Sequence, residues 1–439
     1  MRKAHLLPEG NNTTMDLDTA FEMANSNIRF GSGVTREIGM DVKDRGLGRV
    51  MVLTDPHLCE LPPVQTVLDS LSAEGVDFEL FDQVRVEPTD KSFLDAISFA
   101  KDGRFDGYVA IGGGSTIDTA KATSLYTTYP VDFLDYVNAP IGLGNPVPGP
   151  IAPLIAIPTT AGTGSETTGV AIFDFVELSA KTGIAHRHIK PILGLVDPDN
   201  TFTVPPEVAA STGVDVLCHA LESYTAMPFC QRPYPGRPTL RPSYQGSNPI
   251  SDVWALEAMR LVAEFLPRVV ADAADVTARA NMLLASTMAG MGFGSAGVHL
   301  PHGMSYPVAG LVERYLHPGY PVSYPIVPHG VAVIVNAPAV FKFTASACPE
   351  RHLNAAEVLG ANINGVGLDQ SGEILSYRIM QLMRELGMPN GLEALGYGTD
   401  DIPALVKGTL PQHRVTKLSP KSVDKEDLFH LFTTALRYW

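Results

Sequence analysis

Four residues of this sequence have the types and spacing to hold one metal ion. Asp215 and His219 stand four apart in "VDVLCHALESYTA", a segment that reads as a helix. Residues so spaced share one helical face, so the carboxylate and the imidazole can chelate a single cation. His302 in "PHGMSYP" and His329 in "VPHGVAVIVNAP" are each followed by glycine, where a second backbone can come close. Three imidazoles and one carboxylate suit Zn2+ or Fe2+, not Mg2+ or Ca2+. A lone Asp/His pair on a helix is commonly a surface contact, and the two PHG segments are what turn it toward a metal. Cys218, next to His219, points ~100° away around the helix and reads as packing.

A second constellation suits a nucleotide. In "GYVAIGGGSTIDTAKA" a strand runs through three glycines into a helix opened by Ser115. Glycines let the backbone approach a pyrophosphate, and free N–H groups at a helix start bind anions. The Gly112 to Ser115 turn is neither GxGxxG nor a P-loop, yet a plain strand-to-helix turn needs only one glycine. "IPTTAGTGSETT" adds a loop of hydroxyls and glycines suited to a ribose or a nicotinamide amide. Asp55 closes the strand "RVMVLTD", where an acidic residue favours a ribose 2′-OH over a 2′-phosphate and hence NAD over NADP. A helix N-cap is its competing role.

The elements that must position these groups change character along the chain. "RVMVLTD", "VDFELFDQV", "GYVAIGGG", "PLIAIPTT" and "PILGLVDP" are short apolar runs separated by helical stretches, the pattern of buried parallel strands in a doubly wound sheet. After "TVPPEVAAST" the chain reads as mostly helical, through "DVWALEAMRLVAEFL", "VTARANMLLASTMAGMGF" and "GEILSYRIMQLMREL". The expected division is an α/β domain over 1–204 and an all-helical domain over 205–439. Two long loops, 228–252 and 313–328, flank the candidate ligands and are expected to be functional.

Composition limits the partners. The 439 residues are 45% hydrophobic and 18% charged, a globular profile, with a formal net charge of −15. That charge argues against nucleic acid and anionic membrane. Four cysteines without CxxC spacing read as free thiols in a reducing compartment. The N-terminal stretch shows no targeting pattern, so a cytoplasmic location is the default, or the mitochondrial matrix were a presequence to precede it.

With these pieces in order, the sequence resembles the iron-containing (group III) alcohol dehydrogenases over nearly its whole length. The matching segments are "AIGGGSTIDTAKA", "IPTTAGTGSE", "DVLCHALESY", "HGMSYP" and "PHGVAV". The resemblance implies a dinucleotide-binding α/β domain, a helical domain and a metal in the cleft between them. By position it implies iron or zinc on Asp215, His219, His302 and His329. It implies NAD contacts at Asp55, Gly113, Gly114, Ser115, Asp118, Thr159, Thr160, Thr168 and Lys181, and a homo-oligomer, a dimer or larger. Many members carry a second histidine where this chain has Tyr306, which makes Tyr306 the candidate for that residue's proton relay.

"RPSYQGSNPISD", "GVHLPHGMSYP", "PERHLNAAEVLGA" and "DIPALVKGTLPQHRVTKLSP" are more specific and resemble the hydroxyacid-oxoacid transhydrogenase branch. Its members oxidise 4-hydroxybutyrate to succinate semialdehyde and reduce 2-oxoglutarate to 2-hydroxyglutarate on a bound nicotinamide. The rivals are an NAD-dependent alcohol dehydrogenase that releases NADH and, more remotely, a lyase like dehydroquinate synthase. Hydroxy and oxo acids need a cation in the site, and Arg matches a carboxylate best. Arg241, in the loop after the Asp215 helix, is the expected carboxylate contact, with Arg314 in reserve.

Overall fold

The computed structural model describes residues 16–178 and 180–439, so part of the N-terminal stretch read for targeting signals lies outside them. Among the described residues eight strands are formed: β1 (Asn27–Phe30), β2 (Arg49–Leu53), β3 (Asp77–Phe81), β4 (Gly107–Gly112), β5 (Leu154–Pro158), β6 (Val170–Phe175), β7 (Ala180–Ala185) and β8 (Leu193–Val196). Six build one sheet in the order β1-β8-β5-β4-β2-β3, every pairing parallel. Parallel strands need crossovers, supplied by α1 (Ile38–Asp44), α2 (Pro62–Ala73), α3 (Asp90–Gly103) and α4 (Gly114–Thr128). Side chains alternate between two cores: Val50 and Val52 pack on one face of the sheet, Met51 and Leu53 on the other. The five apolar runs all became strands of this sheet. The edge strand β1 and the antiparallel hairpin β6–β7 did not stand out in the sequence.

The chain runs from β2 outward to β3 and then back past β2 to β4, so the strand order reverses between β2 and β4. Ligands bind at such a reversal, beyond the carboxyl ends of the strands. Asp55 follows β2 there, and the three glycines close β4 and open α4.

From Pro206 onward the chain is helical: α5 (Pro206–Thr225), α6 (Pro249–Ala271), α7 (Val276–Ala296), α8 (Leu300–Gly310), α9 (His329–Ile334), and further helices down to Lys425–Ala435. Every residue of α5 from Gly213 to Thr225 is buried. A helix wrapped on all sides can present polar groups only to a built site. Its neighbours come close because glycine admits them. A Cβ on Gly330 would strike the Ser211 carbonyl oxygen and stand 2.9 Å from Asp215 Cβ. The glycine after His329 is thus what seats the start of α9 on α5.

Gly330→Ala should therefore force α9 off α5. The expected cost is about 1–3 kcal/mol of unfolding free energy, with loss of stoichiometric metal, measured by urea titration and metal analysis. Unchanged stability and metal content would show that the contact is not needed.

Candidate active site

Helix α5 supplies Asp215 and His219, the first turn of α8 supplies His302, and α9 begins with His329. The His219, His302 and His329 Nε2 atoms stand 3.7, 3.6 and 3.9 Å from Asp215 Oδ1. One donor atom from each of the four residues lies within 4.8 Å of all the others. Ligands bound at ~2.0–2.2 Å around one ion have such separations. Asp215 Oδ1 and His302 Nε2 are buried and have no hydrogen-bond partner. A carboxylate oxygen and an imidazole nitrogen facing one point, the latter's proton displaceable by a cation, are what a bound metal would satisfy, so the donor set fits a metal.

The electrostatics agree. Burial would push the Asp215 carboxyl up, but the surrounding imidazoles hold it well below the usual carboxylate range. Burial pushes His219 down to about 4. His302 departs the other way: burial opposes its charge, yet Glu222 and Asp215 push it up to about 10. Glu222 is a member of the site that sequence reasoning missed. Its Oε1 lies 2.6 Å from His302 Nδ1, and its Oε2 accepts the His299 backbone N–H at 2.6 Å. The signal was present in "DVLCHALES", because Glu222 stands three residues after His219 on the same face of α5. The carboxylate fixes the ring of His302 and turns Nε2 toward the other ligands. Phe293 stacks on His219 with centroids 4.0 Å apart and walls off that side.

Two cavities meet here. The smaller, of about 700 Å³, is lined by His219, His302, Phe293, Tyr244, Tyr306 and Arg414, among others. The larger, of about 1250 Å³, runs from the ligands to the end of the sheet past Ser115, Gly113, Thr159, Thr160 and Asp55. Asp215, His329, Gly114 and Ser115 border both. Helix α4 starts at this wall, and its N-cap, Gly113, makes no side-chain cap bond. A Cβ on Gly114 would stand 2.8 Å from Thr163 Oγ1, which accounts for glycine beside that loop.

Other expected contacts are distributed differently. Asp118, Thr168 and Lys181 line the smaller cavity and not the larger. Asp118 Oδ1 accepts from Ser165 Oγ at 2.5 Å and from the fully buried Lys121 Nζ at 3.2 Å. Lys181 is paired with Glu87 at 2.6 Å and, across the β6–β7 hairpin, with Asp174 at 3.1 Å. Since the N-cap of α2 is Leu61, Asp55 caps a turn rather than a helix. Its Oδ1 accepts the backbone N–H groups of His57 and Leu58, while the residue borders the larger cavity.

The expected substrate arginines are corrected by the structure. Arg241 does not line the metal cavity. Its Nε and Nη2 each donate at 2.9 Å to the carboxylate of Asp18, which also accepts from Arg232 at 2.5 Å. Asp18 lies on the segment that crosses the 228–252 loop, with Phe21 stacked edge-on against Phe229. The loop therefore clasps this segment, and Arg241 has no free fork to offer. Arg314 is exposed and borders neither cavity. The arginine that does reach the site is Arg414, in "LPQHRVTKLSP", which sequence reasoning quoted but did not single out.

Comparisons with known proteins fall in line with this architecture. Residues 25–198 match the iron-containing alcohol dehydrogenase model, and 243–436 match the C-terminal model of the Fe-containing alcohol dehydrogenase family. The chain is 58% identical over 436 residues to a mitochondrial hydroxyacid-oxoacid transhydrogenase of Rattus norvegicus, covering 99% of this chain and 92% of that one. It is 55% identical, with the same coverage, to the mitochondrial hydroxyacid-oxoacid transhydrogenase of Homo sapiens. The chain belongs to the iron-containing alcohol dehydrogenase family. Within it the chain groups with the hydroxyacid-oxoacid transhydrogenases, and it is an enzyme, an oxidoreductase.

Solved structures of the family share the fold. A 1,3-propanediol oxidoreductase superposes with a TM-score of 0.83 at 27% identity, covering 95% of this chain and 100% of that one. A sulfoacetaldehyde reductase of Bifidobacterium kashiwanohense, in complex with NAD+, gives 0.77 at 26%, covering 95% and 99%. Among the described residues no helix is long and apolar enough to cross a membrane.

Two outcomes are expected. Glu222→Gln should leave the fold intact and weaken metal binding about 10- to 100-fold, read by competition with a chromogenic chelator; an unchanged affinity would remove Glu222 from the site. Arg241→Ala should lower the melting temperature while changing KM for 4-hydroxybutyrate less than about twofold, since a contact to Asp18 stabilises the fold and not the substrate. A selective rise in KM would restore Arg241 to the substrate.

Proposed function

We propose that this chain moves a hydride from 4-hydroxybutyrate to a nicotinamide cofactor held in the larger cavity, and from there to 2-oxoglutarate. The observation that carries the reading is the join of the two cavities at Asp215 and His329. A carbon held beside the ligands and a nicotinamide ring at the inner end of the larger cavity would meet there. Support for the substrate pair comes from the 58% identity with the rat transhydrogenase, which extends over 99% of the chain.

A divalent cation on Asp215, His219, His302 and His329, iron or zinc, would supply Lewis acidity that lowers the pKa of a substrate hydroxyl. Glu222, by accepting at His302 Nδ1, leaves the Nε2 lone pair free for that cation. Phe293 keeps water from one side of the site. The start of α4, with Gly113 and Gly114, offers free N–H groups to a pyrophosphate. Thr159 and Thr160 provide hydroxyls on the same wall, and Asp55 would repel a 2′-phosphate, which favours NAD over NADP. Asp118, Thr168 and Lys181 would act nearer the nicotinamide end.

In this reading residues 1–204 form the nucleotide-binding unit and 205–439 the metal-bearing one. Assembly into a homo-oligomer is carried over from the family resemblance. A mitochondrial location, as for the rat and human relatives, replaces the cytoplasmic default.

One assay tests the reading. Purified protein is given 4-hydroxybutyrate, with and without 2-oxoglutarate and with no NAD added. Succinate semialdehyde should form only when 2-oxoglutarate is present, and free NADH should not accumulate. NADH that accumulates with added NAD, indifferent to 2-oxoglutarate, would identify an ordinary alcohol dehydrogenase instead.

A further inference from the structure

We infer that Arg414 anchors the substrate carboxylate remote from the reacting carbon, with the Tyr306 hydroxyl as its partner donor. The inference rests on the reading above, in which both substrates carry such a carboxylate. It gives Tyr306 a binding role in place of the proton relay expected from the sequence.

Lysine and arginine contribute two side chains to the smaller cavity, Lys181 and Arg414. Lys181 is neutralised by Glu87 and Asp174. Arg414 pairs with no carboxylate among the described residues. Its Nη2 donates to the Tyr306 hydroxyl at 3.0 Å, while its Nη1 is shut off from solvent and has no acceptor. A guanidinium N–H left unpaired in a buried place is costly, and such orphans in native structures mark a missing partner. The Tyr244 ring lies 4.9 Å from the guanidinium carbon, a cation–π contact that steadies its plane, and both tyrosine hydroxyls beside it favour its charge.

Tyr306 accepts from Arg414, so its own hydrogen is free to be donated. A small turn of the guanidinium toward the cavity would set Arg414 Nη1 beside the Tyr306 hydroxyl as two adjacent donors, a match for the two oxygens of a carboxylate. The spacing of Tyr306 from His302 along α8 suits the substrate. Tyr306 follows His302 by one turn of α8, a rise of about 6 Å for four residues, comparable to the span of a four-carbon hydroxyacid. The short helix His413–Thr416 that carries Arg414 is admitted by the other PHG glycine. A Cβ on Gly303 would stand 2.8 Å from Thr416 Cγ2. The two PHG glycines therefore act in parallel, one seating a metal ligand and the other seating the arginine.

The competing role for Arg414 is a tie between this helix and α8, and the choice of substrate separates the two. In the metal-loaded enzyme, Arg414→Ala should lower kcat/KM about tenfold or more for 4-hydroxybutyrate and 2-oxoglutarate, mainly through KM. Calorimetric binding of glutarate, which has no group to react, should weaken in proportion. Single-turnover reduction of the bound nicotinamide by 1-butanol, which needs no oxo acid as acceptor, and binding of NAD should change less than about twofold. Arg414→Lys keeps the charge and should recover part of the loss; if the alanine variant does not fold, the lysine variant decides by the same comparison. Equal losses for 1-butanol and the acids, or acids left unaffected, would overturn the assignment. A wild-type enzyme inert toward both acids would remove the underlying reading and this inference with it, and that result is visible before any variant is made.

Discussion

Everything near the site depends on holding a carboxylate in the middle of the buried helix α5 and an imidazole at the start of α8, without ordinary hydrogen-bond partners for the atoms they turn toward each other. Asp215 Oδ1 and His302 Nε2 are both buried and unpaired. Each such group costs roughly 1–3 kcal/mol, more when charged. The surrounding packing has to offset that cost, and it does so by leaving α5 no alternative position. Gly213 lies against Leu266 of α6, and Gly330 of α9 lies against the α5 backbone. Glu222, two turns after Asp215, is tied to the start of α8 through His299 and His302. A cation at the four donors would satisfy the orphaned atoms at once, so the packing holds open a place that chemistry fills.

The same constraint couples the two halves of the chain. The loop after β5 reaches across to α7, where Gly164 and Gly290 are in backbone contact and Thr287 donates to the buried Glu166. From the other side, the 313–328 loop returns to the sheet domain. Tyr324 donates to the Val86 carbonyl at 3.1 Å and its ring lies under Arg85. The next residue, Glu87, has φ 53, an unfavourable backbone for a non-glycine residue. Its N–H donates to Ser115 Oγ, its carboxylate takes Lys181, and it borders both cavities. Strain of this kind persists where surrounding contacts over-determine the backbone. Here those contacts come from the start of α4 and from the β6–β7 hairpin, the two elements that close the join between the cavities.

How much of this the sequence disclosed follows the range of the interactions. The five sheet strands were legible because parallel strands buried on both faces must be continuous apolar runs. The Asp215–His219 pair was legible because helical spacing is local. Strand β1 escaped because its four residues, exposed at both ends and only half-buried between, carry little apolar signal. The hairpin escaped because the lysine and aspartate that pair across it look, in sequence, like an ordinary charged loop. Glu222 was misread only by omission, since its face of α5 had already been identified. Arg241 was misread for a different reason. Asp18, which captures it, lies 223 residues away, and no pattern near Arg241 announces that partner.

The arginines show why residue type alone does not locate an anion site. In this acidic chain several cations that reach inward are claimed by the chain's own carboxylates: Arg232 and Arg241 by Asp18, Lys181 by Glu87 and Asp174, Arg351 by Asp252. A cation answered in this way contributes to stability but has little field left for a ligand. What distinguishes Arg414 is the company it keeps: a tyrosine ring, a tyrosine hydroxyl, and an N–H with nothing opposite. Neutral aromatic neighbours fix its position without cancelling its charge, so that charge acts on whatever enters the cavity. On the proposed reading, selectivity for acids in so acidic a protein rests less on how many arginines it has than on the one that the fold leaves without a carboxylate beside the four donors.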